Sequence, residues 1–241
     1  MASQQSSKPR RILLKISGEA LAGDLGFGID PAILSEIASA VLEVRSRGVQ
    51  AALVIGGGNV FRGAELQRAG FDRVTGDQMG MLATIMNGLA MREELKRQGG
   101  SAVVMSAYGI PSITTQYSAS IGREQLSSGA TVICSGGTGS PFFTTDTGAV
   151  LRAIELQCDE VLKATKVDGV YSADPVKDPS AVRFDKLTFS EVMQRQLKVM
   201  DLTAFALASE HQMPIRVFSM KKPGAFVRAA CGGSEGTLVS G

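Results

Sequence analysis

The chain has 241 residues, 44% hydrophobic and 20% charged, the balance of a soluble globular domain with room for a sizeable core; disorder and collagen-like repeats are excluded. Lys and Arg total 25 against 23 Asp and Glu, a formal net charge of +2. That is too near neutral for a nucleic-acid coat, so any anionic ligand must be met by local charges. Cys134, Cys158 and Cys231 form no CxxC pair, which argues against a disulfide framework or a structural zinc site and for a reducing cytoplasm. The polar opening MASQQSSKPR has no apolar signal core, and no run reaches the roughly 20 apolar residues of a membrane span.

In chain order, Ile12, Leu13, Leu14 and Ile16 read as a strand buried on both faces, interrupted only by Lys15 and ending at Ser17-Gly18. Asp30-Pro31 is an N-cap with proline at the first helical position; apolar residues recur at helical spacing from Ile33 to Leu42 until Gly48. A second strand covers Ala51 to Ile55. Asp77 is the expected cap of a longer helix with Met79, Leu82, Ile85, Met86 and Leu89 on its apolar side. Met81, Ala83, Ala90 and Met91 widen that surface, which favours packing against both its own sheet and a second subunit. Short apolar strands follow at Ala102 to Met105, Thr131 to Cys134, Val161 to Ala164 and Ile215 to Phe218. The alternation is that of a doubly wound, largely parallel sheet, in which ligands collect beyond the carboxyl ends of the strands. Ser17-Gly18, Gly56-Gly57-Gly58 and Ser135-Gly136-Gly137 fall there.

Familiar signatures are absent. Gly-Lys never occurs, so there is no P-loop, and GxGxxG is missing, so neither a Rossmann dinucleotide site nor a protein-kinase glycine loop is supported. GxSxG matches once, at Gly232 to Gly236, but the single histidine, His211, lies upstream of it, and the segment reads as a turn. No His, Cys and carboxylate cluster points to zinc.

Three features carry chemistry. Gly56-Gly57-Gly58-Asn59 with Arg62 offers bare amides and a guanidinium to one phosphate. The stretch from Gly136 to Asp146 brings glycines, hydroxyls, Phe142, Phe143 and a carboxylate to the head of a helix starting near Thr147. Local pattern alone also allows an N-cap by Thr145 or Asp146 with both phenylalanines in the core. Lys15 and Lys163 lie in apolar strands, where an ammonium must reach water or an anion: snorkelling and phosphoryl neutralisation are both open. Asp168-Gly169 reads as a tight turn continued by Tyr171 to Pro175, most simply a hairpin. The glycine-rich segment Gly23 to Gly28 stays unassigned, as an effector or subunit contact or an ordinary mobile loop.

With KISGEAL at 15–21, GGGNVFRG at 56–63, GDQMGMLAT at 76–84, GTGSPFFTTD at 137–146 and KATKVDGVYSADP at 163–175, the chain resembles the bacterial UMP kinases, a branch of the amino acid kinase superfamily. The likeness runs from about Arg11 to Thr237. FRG and GTGxPFFTTD separate that branch from the carbamate, acetylglutamate and aspartate kinases, the nearest alternatives; a nucleotide-binding protein without turnover is the alternative of another class.

The resemblance implies a three-layer α/β/α sandwich with a mainly parallel central sheet. It implies one domain over 1–241, with roughly 11–160 serving UMP and subunit contacts and 161–241 the ATP nucleoside. The implied activity is ATP-dependent, Mg²⁺-assisted conversion of UMP to UDP in pyrimidine nucleotide biosynthesis, without a general base.

Matched motif by motif, Lys15, Asp146 and Lys163 would be catalytic. Lys15, Ser17, Gly18, Gly58 and Arg62 would meet ATP phosphates, and Thr165, Tyr171 and Asp174 the ATP nucleoside. UMP would be held by Gly57, Arg62 and Asp77 and by the run Thr138, Gly139, Ser140, Pro141, Phe142, Phe143, Thr144 and Thr145. No protein residue is assigned to the metal. The resemblance also implies a cytoplasmic homohexamer activated by GTP and inhibited by UTP, with no nucleic-acid or membrane partner. Two positions depart from the family's pattern: Ser140, where it usually has Asn, and Gln78, where it often has His or Tyr.

Overall fold

The computed structural model describes residues 8–61 and 70–241. The chain opens with β1 (Arg11–Ile16), a short α1 (Gly18–Ala22), α2 (Pro31–Ser46), β2 (Gln50–Ile55) and the long α3 (Arg73–Arg97). β3 (Ala102–Ser106), β4 (Thr115–Gln116), α4 (Ala119–Ser127), β5 (Thr131–Ser135), α5 (Thr145–Glu155) and β6 (Glu160–Thr165) follow. The last part holds β7 (Val170–Tyr171), β8 (Arg183–Phe184), β9 (Lys186–Thr188), α6 (Phe189–Gln194), α7 (Leu202–Glu210), β10 (Ile215–Ser219), α8 (Ala225–Ala230) and β11 (Thr237–Ser240).

Nine of the described strands form one sheet in the order β4-β3-β5-β2-β1-β6-β10-β11-β9. From β4 to β10 every pairing is parallel, and β11 runs antiparallel to β10 before β9 adds parallel to β11. The reversal fits the chain: a short return from α8 can feed an antiparallel neighbour, whereas parallel pairs need a crossover. β6 lies against β1, so the sheet runs unbroken through residues on both sides of position 160.

Helices cover both faces, as buried apolar strands require. On β1 the alternation is strict. Ile12, Leu14 and Ile16 pack with Leu34, Ile37 and Val41 of α2 and with Met91 and Leu95 of α3. Leu13 faces Ala149, Val150 and Ala153 of α5, in a cluster that also holds Ala204, Phe205 and Ala208 of α7. Lys15 is therefore on the α5 side by parity alone. Asp30 caps α2 by accepting from the amides of Ala32 and Ile33, with Pro31 behind it, as the sequence predicts.

Two expectations need correction. α3 begins at Arg73, capped by Asp72, whose carboxylate accepts from the Thr75 amide; Asp77 is an interior residue paired with Arg73 one turn back. A carboxylate five residues earlier takes the cap. Residues 168–184 do not make a tight hairpin: β7 pairs antiparallel with β8 across the long loop 172–182. Asp168 instead accepts from the Tyr171 hydroxyl at 2.5 Å.

Candidate active site

The β1–β6 register sets Lys15 directly opposite Lys163. Both ammoniums converge on Asp146, in the first turn of α5: Lys15 Nζ lies 2.7 Å from Oδ1 and Lys163 Nζ 2.6 Å from Oδ2. The Lys15 contact is off the line of an aligned hydrogen bond. Lys163 also donates to the Val199 carbonyl at 2.8 Å. Burial by itself would push the Asp146 carboxyl up, but the two ammoniums hold it below the ordinary carboxylate range. Burial lowers Lys163, with Lys15 acting in the same sense and Asp146 against it. The trio carries two positive charges and one negative, a net +1 at the carboxyl ends of the central strands, where an anion would settle.

Around this trio the glycine loops are packed backbone to backbone. A Cβ on Gly18 would sit 2.5 Å from the Gly58 amide nitrogen and 2.7 Å from the Gly56 oxygen, so only glycine lets the β1–α1 and β2 loops approach this closely. Gly57 is equally constrained, its Cβ position lying 2.6 Å from the Gly80 oxygen of α3. Ser17 stands at the head of α1 with extended backbone and no capping bond from its side chain.

A cleft of about 140 Å³ opens beside Gly57 and Gly58, walled by Phe61 and by Asp77, Met81 and Thr84 of α3. Gly137, Thr138, Phe143, Thr144 and Thr145 form the other wall. Asp77 reaches across, its Oδ2 accepting from the Phe142 amide at 2.8 Å. Gly139, Ser140, Pro141 and Phe142 belong to the same loop but do not line the cleft. The Gly139 carbonyl accepts from the Tyr108 hydroxyl at 3.0 Å, and the Ser140 amide donates to Thr138 Oγ1 at 3.2 Å. Phe142 and Phe143 are exposed, which overturns a core position for them; Phe142 has a positive φ of 70° that turns it outward. The helix cap is Thr144, accepting from the Asp146 amide, and neither Thr145 nor Asp146. That frees the Asp146 carboxylate for the lysines.

Thr165 ends β6, its hydroxyl donating to the Val167 carbonyl at 2.6 Å. Tyr171 is on β7, and Asp174 opens the 172–182 loop by accepting from the Val176 amide. Tyr171 and Asp174 follow β6 in the chain, and none of the three lines the cleft. Arg62 lies outside the described residues.

The sequence reading missed Asp201. Its carboxylate accepts from Thr144 Oγ1 at 2.5 Å and from Thr147 Oγ1 at 3.1 Å while capping α7 through the Ala204 amide. It ties the heads of α5 and α7 together beside Lys163. An acidic residue before an apolar helical run is a cap signal, but nothing local says that it reaches Thr144. His211 ends α7 as its C-cap, away from these groups in the sequence and in its bonds.

Comparison with known proteins gives the family. The amino acid kinase family model matches residues 10–219. A uridylate kinase of Saccharophagus degradans is 57% identical over 100% of this chain and 98% of its own length. One from Pseudomonas putida is 59% identical over 99% and 98%. The crystal structure of UMP kinase from Bacillus anthracis superposes with a TM-score of 0.93 at 37% identity, covering 97% of both chains. The chain belongs to the amino acid kinase family and groups with its uridylate kinases.

Proposed function

We propose that this chain transfers the γ-phosphoryl group of ATP to the phosphate of UMP, giving UDP and ADP in pyrimidine nucleotide biosynthesis. The carrying observation is the Lys15–Asp146–Lys163 trio at the meeting point of the glycine loops, next to a cleft walled by the acceptor motifs. In this reading a phosphate oxygen of UMP attacks the γ-phosphorus in line and the bond to the β–γ bridging oxygen breaks. Lys15, and Lys163 beside it, offset the charge that repels two anions from each other. Asp146 keeps both ammoniums aimed at the transfer point. No general base is needed, because the acceptor phosphate, with a second pKa of about 6, is already largely ionised at neutral pH.

UMP then occupies the cleft, with Gly57, Asp77, Thr138 and Phe143 to Thr145 around it and Gly139 to Phe142 shaping the loop from behind; Arg62 joins them by its motif. Ser17, Gly18 and Gly58 offer amides to ATP phosphates, and Thr165, Tyr171 and Asp174 serve its nucleoside. The chain thus works as one domain, with roughly 11–160 for the acceptor and subunit contacts and 161–241 for the ATP nucleoside.

The donor set fits a cation that arrives on the nucleotide. Among the described residues no three His, Cys, Asp or Glu side chains cluster to hold a metal, and Asp146 is already matched by two lysines. Mg²⁺ would come with ATP rather than from a protein carboxylate, and when bound would offset charge on the transferring phosphates.

The same reading extends to a cytoplasmic homohexamer with GTP as activator and UTP as inhibitor. Leu82 and Met86, exposed side by side on α3, support self-association. Among the described residues no helix is long and apolar enough to cross a membrane. Product-resolved turnover with MgATP and, separately, UMP, CMP, dUMP, carbamate, N-acetylglutamate and aspartate tests the proposal. UDP from UMP with little product elsewhere is expected, and no product from any acceptor would move the weight to a binding protein.

A further inference from the structure

α3 carries two polar side chains, Thr84 and Asn87, on the face turned toward the sheet, and both are buried. They stand one turn apart and reach different loops. Asn87 Nδ2 donates to the Gly56 carbonyl at 2.7 Å and to Asn59 Oδ1 at 2.7 Å. Asn59 Nδ2 returns a bond to Asn87 Oδ1 at 3.0 Å and spends its other hydrogen on the Gly28 carbonyl at 2.7 Å. Both hydrogens of each side-chain amide are thus used. Thr84 Oγ1 accepts from the Gly136 amide at 2.8 Å, and the Thr84 carbonyl accepts from Ser135 Oγ at 3.2 Å. Gly88, next to Asn87, lets the helix lie this close: a Cβ there would sit 2.5 Å from Ser135 Oγ.

The two loops so gripped are the opposite walls of the cleft. Gly57 and Gly58 belong to one, Gly137 and Thr138 to the other. Their separation is set by two hydrogen-bonded side chains three residues apart on one rigid helix. A purely apolar contact would not do this, because it has no direction and allows a loop to slide. The Gly28 amide also donates to the Asn59 carbonyl at 2.9 Å, which ties the end of the glycine-rich segment 23–28 into the same assembly.

We propose that Thr84 and Asn87, with Asn59 as the partner of Asn87, are positioning residues that fix the width of the acceptor cleft, an inference that rests on the reading of that cleft as the UMP site. Asn59 and Asn87 stand behind the cleft lining, and Thr84, which also walls the cleft, acts through the Gly136 amide. Thr84 acts on the acceptor wall alone, through Ser135 and Gly136, whereas the Asn59–Asn87 pair also holds the loop of Gly58, which packs against Gly18 on the ATP side.

The test compares Thr84→Val, which keeps the shape and loses the hydroxyl, with Thr84→Ser, which restores it, and adds Asn87→Leu and a control, Ile85→Ala, buried on the same helix. The expected result is at least a tenfold rise in KM for UMP in Thr84→Val and Asn87→Leu, with KM for ATP within twofold in Thr84→Val, whose partners lie away from the Gly58 loop. Thr84→Ser should be near wild type. Ile85→Ala should lose melting temperature without that KM shift. Unchanged KM for UMP in Thr84→Val, or an equal shift in Ile85→Ala, overturns the proposal; if Asn87→Leu does not fold, the Thr84 pair decides. Hydrogen exchange at the Gly136 amide, read without nucleotide, separates this inference from the functional reading. Protection lost in Thr84→Val and kept in Thr84→Ser supports the latch even if the wild-type chain makes no UDP, and protection equal in both overturns it.

Discussion

Lys15 and Lys163 face each other across neighbouring parallel strands, an arrangement two ammoniums would avoid without the Asp146 carboxylate held between them. The pair is an electrostatic clamp on one shared carboxylate, with Asp201 acting on Lys163 from farther off. Lys15→Ala removes half of it. Turnover should fall by about 10²- to 10³-fold, the scale of losing one charge-stabilising group, with KM for UMP little changed. Steady-state kinetics at saturating MgATP checks this, and near-normal turnover would sink the role of Lys15.

Asp146→Asn strands both ammoniums in a buried setting. Removing one partner of a buried ion pair costs about 3–5 kcal/mol, and urea melts at pH 7 should show a loss of that order. The sign of the pH dependence follows from the depressed carboxyl of Asp146. Its contribution is full above the ordinary carboxylate range and disappears as pH falls through the lowered folded-state value. The gap between wild type and variant should therefore close only in strong acid. A gap that closed already between pH 7 and 5 would contradict the clamp.

Burial pushes the Cys134 thiol up to about 12 and raises Cys158 as well, while Cys231 is exposed. Burial thus disfavours the thiolate, the reactive form, at both sites. Iodoacetamide on the native protein should label Cys231 alone, with all three cysteines labelled in denaturant, as peptide mass mapping will show. Fast native labelling of Cys134 would mean that the α5 face opens readily.

Ser140 is exposed and, among the described residues, bonds within its own loop through Thr138. Ser140→Asn should change the ratio of UMP to CMP turnover by less than roughly twofold, the scale of a surface change within about 0.5 kcal/mol. Thr138→Val, altering a wall residue, should change it more. Competition assays with both acceptors present decide, and a large effect at Ser140 alone would mean that the loop swings its side chain inward.

The sequence by itself determined the six apolar strands β1, β2, β3, β5, β6 and β10, the glycine loops and the chemistry they offer, but not β4, β9 and β11 of the same sheet. Buried parallel strands are continuous apolar runs, so Ile12–Ile16, Ala51–Ile55 and Thr131–Cys134 are legible, and a lysine inside such a run, as at 15 and 163, stands out because it needs a partner. The motif from Gly136 to Asp146 was equally plain. What only the tertiary structure decided were relations between distant segments: the register that sets Lys15 against Lys163, the reach of Asp201 to Thr144, the Asn59–Asn87 pair and the reversal of β11. Periodicity reports which face of an element is buried, but a hydrogen bond between residues 28 or 57 positions apart leaves no periodic trace. Even the turning of Phe142 and Phe143 to solvent had none, since two adjacent phenylalanines look like core until the backbone around them takes a positive φ and the Asp77 carboxylate claims the Phe142 amide.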